Sequence, residues 1–254
     1  PRLEPFWILL MLPERLLQAV ERPARYLGGE LNQVVKSSAQ VRVALCFPDV
    51  YEIGMSHQGL RILYHVVNRR PDAAAERVFL PWTDALAAMR AARVPLAGLE
   101  SATPLSDFDL VGITLQHELS YTNVLALLEL GGIPLRAADR PGSAPLVIGG
   151  GPCAVNPEPV ADFFDAFVIG DGEEALDQLL DLFLAQPCQL TDRVTRTRAQ
   201  RDELLYRLAE LPGLYVPAGY SVSPSPSGML IPAPRQERFP HRVVRRVVAD
   251  LNDQ

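Results

Sequence analysis

Four short stretches of this sequence carry residue types able to do chemistry. The first is Pro48-Asp49-Val50-Tyr51-Glu52-Ile53-Gly54-Met55-Ser56-His57, which groups acids, a phenol and an imidazole just after an apolar run. His57 reads either as a metal ligand, imidazole being the commonest such side chain, or as a cap at a helix start. The second is Gln116-His117-Glu118-Leu119-Ser120, where His117 and Glu118 offer an acid–base pair or simply solvate a loop. The third, Gly149-Gly150-Gly151-Pro152, lets another group approach the backbone closely or serves only to turn the chain. The fourth, Gly170-Asp171-Gly172-Glu173-Glu174, places three carboxylates at a helix start. The helix dipole stabilises carboxylates there by about 0.3–1 kcal/mol each. They hold the position a phosphate would take, so this end suits a neutral, hydroxyl- or amide-rich ligand. No Lys or Arg is adjacent in sequence to either glycine-rich loop, which disfavours a pyrophosphate. The stretches match neither GxGxxG after a first strand nor a P-loop, because Pro48-Asp49 ends the first strand and no Lys-Ser or Lys-Thr follows the glycines.

The elements that must hold these loops follow from hydrophobic period. Val41–Phe47, Arg77–Leu80, Asp109–Leu115, Pro145–Ile148 and Ala166–Ile169 read as buried strands, and Leu96–Leu99 as a small extra one. Between them lie helical patterns: one from Ser56, its expected N-cap, with Leu60, Leu63, Tyr64 and Val67 on one face, then Trp82–Ala92 and Tyr121–Leu130. Leu176, Leu179, Leu180 and Phe183 mark a further helix after the fifth strand. Such alternation predicts an α/β fold, a flavodoxin- or Rossmann-like open parallel five-stranded sheet in the order 2-1-3-4-5. Ligand then binds at the strand C-termini near the switch between strands one and three. Residues 1–40 read as a lead-in with a short helix at Pro13–Leu17, residues 41–187 as the binding domain, and 188–254 as a small α+β extension or linker. In that extension Arg198–Leu211 is helical, and Ser223–Gly228 turns between two strands. Arg242, Arg245 and Arg246 alternate with valines as a half-exposed strand with a basic rim.

Bulk properties exclude several classes. A net charge of −6 and a pI near 5.3 argue against wrapping nucleic acid by charge. The run Phe6–Leu12 is shorter than the roughly 20 residues that span a bilayer and lacks signal-peptide flanks, so it reads as packing on the core or on a neighbouring domain. The three cysteines, Cys46, Cys153 and Cys188, form no CxxC pair or zinc spacing and suggest a reducing cytoplasm. The chain begins at Pro1, which reads as a cut N-terminus.

In order along the chain, Pro23–Glu30 (PARYLGGE), Phe47–His57 (FPDVYEIGMSH), Gly149–Pro152 and Gly170–Glu173 resemble the N-terminal part of B12-binding-domain radical S-adenosylmethionine proteins. The similarity is greatest to an uncharacterised bacterial subfamily and runs from about residue 13 to the end. It implies a cobalamin-binding-type domain followed by a radical SAM barrel, the partner that acts on a substrate this sequence does not name. In that barrel a CxxxCxxC motif holds a [4Fe-4S] cluster on three thiolates and leaves one iron for S-adenosylmethionine. This sequence has no such motif, so the resemblance implies a fragment that does not start radical chemistry alone. It further implies cobalamin contacts from Asp49, Tyr51, Glu52, His57, Thr114, Gln116, Gly149, Gly150, Gly151, Pro152, Gly170, Asp171, Gly172 and Glu173. Thr114 would hydrogen-bond the nucleotide tail. The DxHxxG pattern of a cobalt-ligating His is absent around Ser56-His57-Gln58-Gly59. Two other readings stand beside this one: a cobalamin-free scaffold or substrate-binding module, and a flavin binder, which would need a Ser/Thr-rich phosphate loop after strand one.

Overall fold

A computed structural model describes residues 11–185 and 192–248 of the chain. The expected packing of Phe6–Leu10, Cys188 and the C-terminal Asp250–Gln254 lie outside these residues, whereas Met11 and Leu12 are buried in the core.

The centre is a six-stranded sheet in the order β2-β1-β3-β4-β5-β6. Strand β1 is Val41–Phe47, β2 Ala73–Phe79, β3 Leu110–Thr114, β4 Leu146–Gly150, β5 Ala166–Val168 and β6 Leu214–Tyr215. The first five run parallel. Strand β2 is buried along its whole length and β1 at every residue but Arg42, as expected where helices cover both faces. The helices are α1 (Glu14–Leu17), α2 (Tyr51–Ser56), α3 (Gln58–Asn68), α4 (Thr83–Ala92), α5 (Tyr121–Leu130), α6 (Glu173–Ala185) and α7 (Arg198–Ala209). A separate antiparallel ribbon, β7 (Tyr220–Pro224) with β8 (Leu230–Pro234), forms around the expected turn.

Five strands were expected and six are present. Strand β6 comes from the extension and pairs antiparallel with β5, Phe167 opposite Tyr215 and Val168 opposite Leu214. It is two residues long, too short for a period to show, and Gly213 at φ +79° turns the chain into it. Strand β2 begins at Ala73, not Arg77: Ala73-Ala74-Ala75 lacks the β-branched signal and is fixed by pairing with Val41–Val43. Residues 96–99 contribute one bridge, Ala97 to Pro104, and Arg242–Val248 one bridge, Arg246 to Gly170, in place of strands. The helix expected from Ser56 is α3, but it starts at Gln58 with His57 as its cap, accepting the Leu60 N–H on Nδ1 at 3.1 Å; Ser56 instead ends α2, a helix over the stretch expected to be a loop.

Buried ion pairs fix the edges. Asp165 Oδ2, just before β5, accepts from Arg140 at 2.8 Å, Arg201 at 2.7 Å and the Val147 N–H at 2.8 Å. Burial lowers the pKa of Arg140 despite Asp165 beside it. The same cause, with the nearby Arg201 charge, lowers Arg196 to about 10. The lead-in is stitched on by Arg22 and Arg25 to Glu52, by the Tyr51 hydroxyl to Glu30, and by Lys36. Lys36 Nζ donates to the carbonyls of Asn68 (2.7 Å), Arg70 (2.5 Å) and Ala73 (2.8 Å), closing the end of α3.

Burial raises the phenols of Tyr51 and Tyr64 to about 12, and that of Tyr215, beside Glu158, further still. A group with a raised folded pKa contributes stability that is complete below its unfolded value, near 10 for tyrosine, and is lost through the folded one. The lowered pKa values of Arg140, Arg196 and Lys36 act oppositely, three cations against the six raised phenols of Tyr26, Tyr51, Tyr64, Tyr121, Tyr215 and Tyr220. Stability in urea is therefore expected to fall as pH rises from about 10 to 12. A midpoint that holds or rises over that range would contradict this.

Candidate functional site

Side chains alternate across a strand, so Val43 and Leu45 of β1, Leu110, Gly112 and Thr114 of β3, Ile148 and Gly150 of β4 and Val168 of β5 all project on one sheet face. All of them line a cavity of about 540 Å³. Helix α3 walls it with Gly59, Leu60 and Leu63, and α6 with Leu176 and Leu179. Arg69 to Asp177 at 2.8 Å and Arg70 to Asp181 at 2.7 Å tie the two helices together at the far end of α3. The floor is sunken because Gly112 and Gly150 have no side chains. A Cβ built on Gly150 would meet nothing within 4 Å, and one on Gly112 would meet its nearest atom at 3.7 Å. The result is an apolar slot over the middle of the sheet, opening at the strand C-termini.

The three consecutive glycines do different work. Gly150 opens the slot. Gly149 faces the other side, where a Cβ would lie 2.6 Å from the Phe167 ring and 3.2 Å from Phe164. Gly151, at φ +95°, turns the chain against Thr114 and Gln116. Gly149→Ala is accordingly expected to cost about 1–3 kcal/mol of stability through overpacking, measured by urea unfolding. A cost within error of zero would show that the phenylalanines yield freely.

The rim is polar. Thr114 Oγ1 accepts from Gln116 Nε2 at 2.6 Å. The His57 ring lies 5.1 Å from the Phe47 ring, tilted at 48° to it, with Gly59 beside it. Its Nδ1 accepts a hydrogen bond, so in the neutral ring Nε2 carries the proton. As placed, His57 is a cap, and a metal-binding lone pair on Nε2 would require giving up the cap. Asp171 Oδ2 accepts from the Val248 N–H at 2.9 Å, and Glu174 pairs with Arg246. Glu173 and Arg245 also line the rim.

Residues 59–217, more than half of the chain, match the family of radical SAM proteins, N-terminal region. The chain belongs to this family. A relative is an uncharacterised protein of Methanocaldococcus jannaschii, 27% identical over 132 residues. These make up 52% of this chain and 24% of that protein, so the match spans about a quarter of the relative's length. No solved structure matches.

In this radical SAM N-terminal domain the expected site residues divide into two groups. His57, Thr114, Gln116, Gly149–Pro152 and Gly170–Glu173 converge on the slot. Asp49, Tyr51 and Glu52 do not line it. Asp49 accepts from its neighbour Val50 N–H, while Tyr51 and Glu52 turn to the lead-in. Helix α2, unread in the sequence, is what rotates them away. His117 and Glu118 lie outside the slot, both largely exposed and 3.9 Å apart. Cys46 lies fully buried at the slot's base, where burial pushes its thiol up. Burial and then Glu118 raise the Cys153 thiol. Among the described residues no group of three or more His, Cys, Asp or Glu is placed to hold a metal, and no helix is long and apolar enough to cross a membrane.

Sequence reasoning missed Gly112, Gly59 and Arg245. Gly112 sits in a buried strand, and its parity with Thr114 and Ile148 carries the signal. Arg245 is far along the chain and left none.

Proposed function

We propose that this chain is the corrinoid-holding domain of a radical SAM enzyme, and that the slot takes the nucleotide tail of cobalamin. One observation carries the reading: an open apolar slot on the sheet face, walled by α3 and α6 and floored by Gly112 and Gly150. A flat heteroaromatic base fits such a floor, because two missing side chains leave room where a strand would otherwise project Cβ atoms. Thr114, Gln116, Gly151, Pro152 and Gly170–Glu173 would hold the tail where it leaves the slot, and His57 would donate to it and not ligate cobalt. Cobalamin, when bound, supplies a carrier for methyl transfer or radical rearrangement. The [4Fe-4S] cluster and S-adenosylmethionine belong to a barrel in the intact enzyme, the partner of this domain, acting on a substrate these residues do not specify. In this division residues 41–187 form the binding domain and 188–254 lead toward the barrel.

The test is to mix the chain with hydroxocobalamin and pass it over gel filtration. A corrin spectrum eluting with the protein at micromolar concentration is expected. Its complete absence would favour the alternative of a cobalamin-free scaffold or substrate-binding module, which calls for side chains filling the trough. The open slot speaks for the first reading.

A further inference from the structure

The rim holds a guanidinium from a segment remote in sequence from the glycine-rich loops. Arg245 lines the slot, and it forms no hydrogen bond or ion pair with any described residue. Its position is built by its neighbours. The Arg246 N–H donates to Ile169 O at 2.9 Å, and the Asp171 N–H donates to Arg246 O at 3.2 Å. The Val248 N–H donates to Asp171, and the Arg246 side chain reaches Pro212 O, Gln178 and Glu174. Two glycines make room for this seat. A Cβ on Gly170, at φ +107°, would lie 2.2 Å from Arg246 O, and one on Gly213 2.5 Å from the Arg246 side chain. So residues 245–248 are pinned across the mouth with Arg245 facing ligand space. The nearby carboxylates leave it free. Asp171 and Glu174 are engaged by Val248 and Arg246, and Glu173 forms no ion pair with Arg245.

We propose that Arg245 recognises a phosphodiester on the ligand that fills the slot, so that the site selects a flat base joined through phosphate over a ligand lacking it. This rests on the corrinoid reading and identifies the phosphate of the cobalamin nucleotide tail as its partner. Arginine suits the role because its planar fork donates two parallel hydrogen bonds to phosphate oxygens.

The experiment compares the chain with Arg245→Gln and with Arg242→Gln, a control on the same segment outside the slot. Each is titrated with hydroxocobalamin and with cobinamide, which has the corrin but no nucleotide tail. Arg245→Gln is expected to weaken hydroxocobalamin binding about 10- to 100-fold, the size of a lost charge-assisted hydrogen bond. Cobinamide binding and Arg242→Gln should be unaffected. Hydroxocobalamin binding equally to the chain and to Arg245→Gln would overturn the phosphate assignment and leave the corrinoid reading standing. If the unaltered chain retains no corrinoid, both fall. Equal losses in Arg245→Gln and Arg242→Gln would reduce the effect to general charge and overturn the assignment as well.

Discussion

Replacing Asp165 by asparagine is expected to lower the unfolding free energy by about 3–5 kcal/mol, the cost of leaving buried charge uncompensated. Asp165 is 3% exposed, and the Arg140 and Arg201 that converge on its Oδ2 are 0% and 1% exposed. Neither guanidinium can turn to water, and their remaining partners are backbone carbonyls: Pro134, Leu135 and Phe163 for Arg140, Ala144 and Pro145 for Arg201. Carbonyls accept hydrogen bonds but do not neutralise charge. The substitution keeps the shape and removes only the charge, so urea denaturation reads the electrostatic part directly. A loss under about 1 kcal/mol would mean that the carbonyls alone suffice, in the range of an exposed pair. The loss should not depend on ligand, since the cluster sits at the start of β5, at the opposite end of the strands from the mouth of the slot, and none of Arg140, Asp165 and Arg201 lines it.

Gly150→Leu is expected to do the reverse: leave the fold within about 1 kcal/mol and abolish ligand retention. A Cβ there meets nothing within 4 Å, and Gly150 does not require a positive φ. The added side chain would therefore occupy the slot without displacing protein atoms. Corrinoid binding should weaken at least about 100-fold, because a filled pocket excludes the group that must enter it. Paired with Gly149→Ala, which strains Phe167 beneath the sheet but leaves the slot open, it separates the two faces of one dipeptide. Unchanged binding in Gly150→Leu would show that the ligand does not use the slot. Unfolding of that variant would show that the space is closed in solution.

Much of this was legible from period. Strands β1 and β3 are apolar runs, α5 falls at Tyr121–Leu130 as expected, and of the four residues that mark α6, Leu179, Leu180 and Phe183 are buried while Leu176 is partly buried, like Leu182 and Leu184. The strand order followed from alternation and the hand of the crossovers. What escaped was fixed by tertiary contact. Ala73–Ala75 extends because β1 lies beside it, and β6 exists because Phe167 and Tyr215 stack across the last pair. At the site, glycine-rich loops were visible but not which face each glycine serves. Tyr51 and Glu52 look like loop chemistry in the sequence because the six-residue helix α2 has no side-chain cap to announce it.

One feature of the lead-in has a practical use. Lys36 is the single lysine of the chain, and its ammonium is held by three carbonyls around the end of α3. An amine-selective reagent thus has one side-chain address, and acylation there competes with those three contacts. Its rate becomes a clock for local opening of the lead-in, readable by mass spectrometry under native conditions and independent of global unfolding.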